Sequence, residues 1–240
     1  MSTEVQKPGQ PVAAPSIVVA IDGPAGAGKS TVACHLASHF GLLNLETGAM
    51  YRAFALKALR RGIELDAVEL LNALMEETTI GLEPGEDGNR VLLDGEDVTG
   101  FLRNPLVSDA ASRVSVISSV RAWMVRLQQQ MGAHGGVVME GRDIGTVVFP
   151  RAEVKIFLDA DSAVRGKRRY DQMGSPSAPE LQAVIRDVQQ RDERDRNRAD
   201  SPLRPAEDAS ILDSTALTLA EVLKAAEKIV QERIAALAKS

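Results

Sequence analysis

Residues 23–30 read Gly-Pro-Ala-Gly-Ala-Gly-Lys-Ser, the spacing G-x-x-x-x-G-K-[ST]. Residue types in this order bind phosphate. Glycines let the backbone turn so that successive N–H groups point inward at phosphate oxygens. A helix starting at Lys29 adds its positive dipole end. Lys29 then reaches the β/γ-phosphates, and the Ser30 hydroxyl is placed to ligate Mg²⁺. The candidate ATP loop is therefore Gly23, Pro24, Ala25, Gly26, Ala27, Gly28, Lys29, Ser30 and Thr31. A second stretch, Arg-Asp-Glu-Arg-Asp-Arg-Asn-Arg at 191–198, could grip anions. At 100° per residue Arg191, Arg194, Asp195 and Arg198 share one helical stripe, while Asp192, Glu193 and Arg196 point elsewhere. Three guanidiniums beside one carboxylate repel each other unless an anion sits between them. The plainer alternative is a solvated charged helix.

The loop names a nucleotide, not a reaction. A GTPase would carry a base-reading N-K-x-D, which the chain lacks. A motor ATPase would end its second nucleotide strand in adjacent acids, whereas Val137-Val138-Met139-Glu140 ends in one acid followed by Gly-Arg-Asp. A small-molecule kinase needs arginines that close over a transferring phosphate, and 191–198 supplies them. Other residues read more plainly. His35 and His39 stand at i and i+4 beside Cys34, but no H-E-x-x-H glutamate accompanies them and their helix is committed to the phosphate loop. Structural or surface roles are expected for them rather than zinc ligation. Tyr51 reads as core, Asp159 as a helix cap and Asp22 as a support for the phosphate loop. Arg142 and Asp143 could be a mutual surface ion pair, but their place at the end of a parallel strand favours ligand contact.

The elements that must hold these groups follow from the apolar pattern. SIVVAI (16–21), GVVME (136–140) and VKIFLDA (154–160) are buried-strand runs, with weaker strands at 42–48 and 210–213. Helices are expected over 29–40, 49–62, 105–131, 162–173, 180–198 and 217–239, with Gly41 ending the first. Between 63 and 104 lies a polar, turn-rich insert with short antiparallel strands at 79–84 and 90–99 and a tight turn at Asp94-Gly95. Strands alternating with helices imply an α/β domain around a parallel sheet. The core is expected from 16–62, 105–164 and 205–240, and a helical lid from 165–204, hinged at the Ser-Pro-Ser-Ala-Pro break. Residues 1–15 read as a disordered tail.

The chain has 240 residues, a size that fits one domain, and a net charge of −5. Ten Lys/Arg against seven Asp/Glu fall between 165 and 204, so the rest of the chain carries −8. A basic surplus that local suits a small anion rather than a nucleic acid. Aromatics at 3% give no stacking platform for single strands. One cysteine, no signal-like segment and no membrane-length apolar run point to a cytoplasmic, soluble protein.

Five stretches together, AIDGPAGAGKSTVA (20–33), ETGAMYRA (46–53), EGRDIGTVVFP (140–150), VKIFLDA (154–160) and RDERDRNRA (191–199), make the chain similar to bacterial cytidylate kinases. The likeness runs from Ile17 to the C-terminal helix. It implies a three-layer P-loop NTPase fold with a five-stranded parallel sheet and an enlarged nucleoside-monophosphate domain at 63–104. It implies a monomer that moves the ATP γ-phosphate to CMP or dCMP with Mg²⁺. Residue by residue, it implies CMP contacts at Thr47, Arg52, Ser112, Arg121, Arg142, Asp143, Arg191, Asp195 and Arg198. Arg168 and Arg194 take the place of lid arginines over the ATP phosphates, so the catalytic set is Lys29, Arg142, Arg191 and Arg194. Glu140 stands where other members have Asp and would reach the metal through water. The chemistry of the bases agrees. Cytosine differs from uracil by a 4-amino donor and an unprotonated N3; Asp143 can accept from the first and Arg121 can donate to N3/O2. Two other readings remain: a monophosphate kinase specific for UMP or AMP, and a P-loop ATPase acting as a regulatory switch.

Overall fold

The computed structural model describes residues 16–85, 88–173 and 180–239. The expected tail at 1–15 and the hinge at 175–179 lie outside the described residues. Five strands form one parallel sheet in the order β2 (Leu43–Glu46), β6 (Val137–Gly141), β1 (Val18–Asp22), β7 (Val154–Asp159), β8 (Ser210–Asp213). All five residues of the central strand β1 are buried. Their side chains alternate: Val19 and Ile21 join α1 (Lys29–Phe40) and α8 (Leu219–Leu237), while Val18 and Ala20 join Leu45, Met139 and Ile144 on the other face. The sheet is thus covered on both sides, as its β-branched runs required.

The insert is more ordered than expected. Val68–Glu76 forms a helix, α3, with Leu71 and Leu74 buried. A polar surround masks this two-turn apolar stripe in the sequence. A small antiparallel sheet follows: β3 (Ile80–Gly85), β4 (Gly88–Leu93) and β5 (Glu96–Asp97). Asp94 and Gly95 both have positive φ, 52° and 84°, the signature of the tight turn that twists with its strands. Among the described residues no separate core lies under the insert. Leu71, Leu74, Val91 and Val98 share one apolar cluster with Phe54 of α2 (Thr47–Arg60) and with Val120 and Met124 further along.

The expected single helix over 105–131 is two. Asn104 caps α4 (Pro105–Val114) by accepting from the Leu106 N–H, and α5 (Ser118–Met131) restarts three residues after α4 ends. The break frees the Ser115 carbonyl, which becomes a binding partner in the site. Helices α6 (Ser162–Met173) and α7 (Leu181–Asn197) pack closely, because a Cβ on Gly166 would lie 2.5 Å from Ile185. Asp161, not Asp159, caps α6, its carboxylate accepting from the Ala163 N–H.

Candidate active site

A cleft of about 560 Å³ opens at the carboxyl ends of β1, β2 and β6, where parallel sheets bind ligands. Its floor is the phosphate loop. Gly23 sits at φ 150° with Leu158 O only 2.0 Å from where a Cβ would be, so no larger residue fits beside β7. The first turn of α1 has no side-chain cap and no acidic residue, which leaves its N–H groups for an anion. Lys29 is buried, donating to Pro24 O at 2.8 Å. Burial, then the Arg142 charge, lower its pKa to about 7. A phosphate nearby would restore the ammonium.

Eight cationic side chains line the cleft (Lys29, Arg52, Arg121, Arg142, Arg168, Arg169, Arg191, Arg198) against four carboxylates, in a chain whose net charge is −5. Nearly all the expected residues converge here, and the way they pair defines two ends. At one end, Arg121 is held in place by the Ser115 carbonyl at 3.1 Å and donates to Asp143 at 2.5 Å. Arg198 stands 3.8 Å from Asp143 and 3.7 Å from Asp195, and Asp195 accepts from Arg142 at 2.9 Å. Burial pulls Asp195 upward, but Arg142, Arg191 and Arg198 outweigh it and hold the carboxyl below its usual range. Arg142 and Asp143 therefore do not pair with each other at the surface; each has its own partner across the cleft. Ser112 Oγ, Arg121 Nε, Arg191 Nε and Arg198 Nη2 are buried polar atoms with no hydrogen-bond partner in the protein. Unsatisfied groups in such number mark a place built for a polar ligand. Burial and Arg142 together push the Arg191 guanidinium down to about 10.

At the other end, Glu46 and Glu140 face each other in register across β2 and β6. Burial first, then the neighbouring Glu46 charge, raise the Glu140 pKa, while a hydrogen bond from Ser30 opposes them. Glu140 Oε1 has no partner. Thr47 locks this seam by donating to Glu140 O at 2.7 Å, and Arg52 pairs with Glu46. Arg168 bridges the loop and β8, bonding Ala27 O at 3.4 Å and Ser214 O at 2.9 Å.

Arg194 does not join the cleft. It turns toward α4 and pairs with Asp109 at 3.4 Å, outside the arginine cluster formed by its stripe-mates Arg191 and Arg198. Asp192, which points away from the arginine stripe, is buried against Arg165, and Arg165 also bonds Ala25 O at 2.9 Å and Ala160 O at 2.7 Å. One guanidinium so fastens α7 to the phosphate loop. Arg196 is exposed, as the helical geometry required. Tyr51, read as core, lines the cleft with the Arg121 guanidinium 5.9 Å above its ring, and burial pushes its hydroxyl up to about 12. Glu46, Arg169 and Gln172 also line it and were missed; only the adjacency of Glu46 to Thr47 and of Arg169 to Arg168 could have signalled them.

Asp22 supports not the phosphate loop but the π-helical turn Ile144–Val148, accepting from the Ile144 and Gly145 N–H groups at 2.8 and 2.7 Å. That turn aims Arg142 and Asp143. Burial raises the Asp22 pKa from 3.8 to about 6 despite these bonds. Between about pH 4 and pH 6 the folded state therefore holds a proton that the unfolded chain releases. Stability falls as pH rises through this window, by ~3 kcal/mol. Urea titrations from pH 4 to 7 should show the fall in the wild type and a flatter profile in Asp22→Asn. Parallel profiles would clear Asp22 of it.

Most of the residues that the family resemblance named line this cleft, with Arg194 outside it. The family model for cytidylate kinases matches residues 19–232. The cytidylate kinase of Solibacter usitatus is 50% identical over 91% of this chain and 94% of its own. Those of Syntrophotalea carbinolica and Pasteurella multocida are 46% and 43% identical, over 90% and 91% of this chain and 93% and 96% of theirs. On this match, and with a P-loop facing an arginine-lined acceptor end in one cleft, the chain belongs to the cytidylate kinase family.

Proposed function

We propose that the cleft transfers the γ-phosphoryl group of ATP to CMP or dCMP, giving ADP and CDP or dCDP. The observation that carries this reading is the buried Arg121–Asp143 pair beside the unsatisfied Ser112 hydroxyl, set across from the phosphate loop. An acceptor carboxylate and a guanidinium donor match the cytosine edge. Arg142, Arg191 and Arg198 then receive the acceptor phosphate, with Thr47 and Arg52 at its side and Asp195 holding the arginines in register. A monophosphate is mostly dianionic near pH 7, so no general base is needed. Lys29, Arg142 and Arg191 neutralise charge that spreads over the moving phosphoryl group, and Arg168 holds the donor side. For Arg194 to reach the donor phosphates as a lid arginine, its pair with Asp109 has to break.

The donor set also fits Mg²⁺, because Ser30, Glu140 and Glu46 are hard oxygen groups and Glu140 Oε1 has no hydrogen-bond partner in the protein. Ser30 would bind the ion directly and Glu140 through water; the ion supplies neutralisation of the β- and γ-phosphates. Among the described residues no helix is long and apolar enough to cross a membrane. With a small-molecule cleft and one exposed cysteine, we place the enzyme in the cytoplasm, acting without nucleic acid.

ADP formation followed by a coupled assay should require Mg²⁺ and CMP or dCMP, with UMP and AMP turned over far more slowly. ADP released equally fast without any acceptor would mean a switch ATPase instead.

A further inference from the structure

On the far end of α1 from the phosphate loop, two histidines meet a glutamate from α8. His35 Nε2 lies 2.5 Å from Glu227 Oε1, and His39 Nδ1 lies 3.5 Å from the same oxygen. One ligand atom from each residue falls within 4.8 Å of the other two. We propose that His35, His39 and Glu227 form a binding site for a borderline divalent transition ion such as Zn²⁺, Co²⁺ or Ni²⁺.

Three features of the geometry support this. Two histidines at i and i+4 present their rings on one helical face, a single turn apart. Bonds of about 2.0–2.2 Å at a tetrahedral centre place ligand atoms ~3.4 Å apart. The His39–Glu227 separation already has that value, and the His35–Glu227 contact opens to it by a rotation of two partly exposed side chains. Two imidazoles and one carboxylate also suit ions of this class rather than Mg²⁺ or Ca²⁺, which take oxygen ligands. An ion takes the lone pair of His35 Nε2, so any proton on that nitrogen moves off it, and water completes the coordination. Sequence spacing could not show the site, because Glu227 lies 192 residues from His35. Its position gives it a consequence. The first turn of α8 contributes Leu219 and Val222 to the nucleotide cleft, and α1 begins at Lys29, so a bound ion staples together two helices that each reach the ATP side.

The test uses the full chain without a histidine tag. The protein has three histidines. In ¹⁵N-histidine spectra, one equivalent of Zn²⁺ should shift two ring systems and leave His134 in place. Co²⁺ should give visible absorption of a low-symmetry nitrogen–oxygen site without the thiolate band that Cys34 would add. Saturating Zn²⁺ should raise the Tm by ~5–10 °C. His39→Ala and Glu227→Gln should each lose the spectral shift and the Tm rise, whereas Ser30→Ala, which alters the nucleotide-bound metal site, should keep both. Variant Tm values measured without metal show whether the fold survives, and the ring shifts at His35 in Glu227→Gln give a second reading. Zn²⁺ binding of equal affinity in wild type and His39→Ala, or shifts at His134 alone, would overturn the proposal.

Discussion

Arg191→Ala lowers kcat/KM for CMP by about a hundredfold or more, while Arg196→Ala stays close to wild type. Both positions belong to one charged helix, and the difference comes from what each side chain faces. Arg191 lines the cleft, has a buried Nε without a protein partner, and is held near Arg142 at a cost to its own protonation. A phosphate relieves that repulsion, most of all when charge builds in the transition state. Removing such a donor costs ~3–4 kcal/mol. Arg196 is exposed on the opposite face, where losing an ion pair costs ~0–1 kcal/mol. Arg194→Ala reads the state of α7 during turnover. As a lid arginine it should match the loss at Arg191; near-normal rates would leave it with Asp109, outside the chemistry. Equal losses at Arg191 and Arg196, in variants of equal Tm, would refute the one-face reading.

Arg121→Met should both destabilise the protein and blur its choice of base. Arg121 and Asp143 are a buried pair, and removing one partner strands the other charge in low dielectric. Such a loss costs ~3–5 kcal/mol, of which Arg198 at 3.8 Å recovers part. A cost of ~3 kcal/mol corresponds to a Tm lower by ~6–12 °C for a chain of this size. The CMP-to-UMP ratio of kcat/KM should fall as well, since the donor to N3/O2 is gone. Asp143→Asn, which keeps an acceptor but loses the charge, should shift the ratio while destabilising less. A normal ratio in both variants would remove the pair from base reading; a normal Tm in Arg121→Met would show that the pair is not buried in solution.

Much of this was legible because the strongest signals are local. The β-branched runs at 18–22, 137–141 and 154–159 can only be buried strands, and the glycine-rich loop between β1 and α1 has one physical use. The 191–198 stripe was readable from helical geometry alone for Arg191, Asp195 and Arg198. What stayed hidden depends on contacts between distant elements. Where Asp192 points could not be read, because its partner, Arg165, is 27 residues away on another helix. Tyr51 packs against the core, as expected of an aromatic in an apolar helix, but its second place at the cleft edge under Arg121 could not be read. Arg194 shares the stripe but sits at its margin, where the neighbouring Asp109 captures it. Asp22 served a turn 122 residues ahead rather than the loop beside it. The two-helix break at 115–117 had no proline or glycine to announce it, and it is the break that frees the carbonyl holding Arg121.

Two of the apolar clusters also differ in how much chain they need. The cluster under the acceptor end draws its buried residues from 49 to 124, one continuous stretch. The cluster beneath α1 and α8 joins Ile17 to Val230, nearly the full length. Closing a short loop costs less entropy than closing a long one, and sequence-local contacts form sooner. During synthesis, the apolar cluster under the acceptor end has all its buried members once α5 has emerged, whereas the cluster beneath α1 and α8 waits for β8 and α8. In refolding, amide protection in α2 and α5 should therefore precede protection in β7 and β8. The apolar base of the acceptor end condenses first, the residues from 142 to 198 complete it later, and the C-terminal helix closes the half that uses ATP.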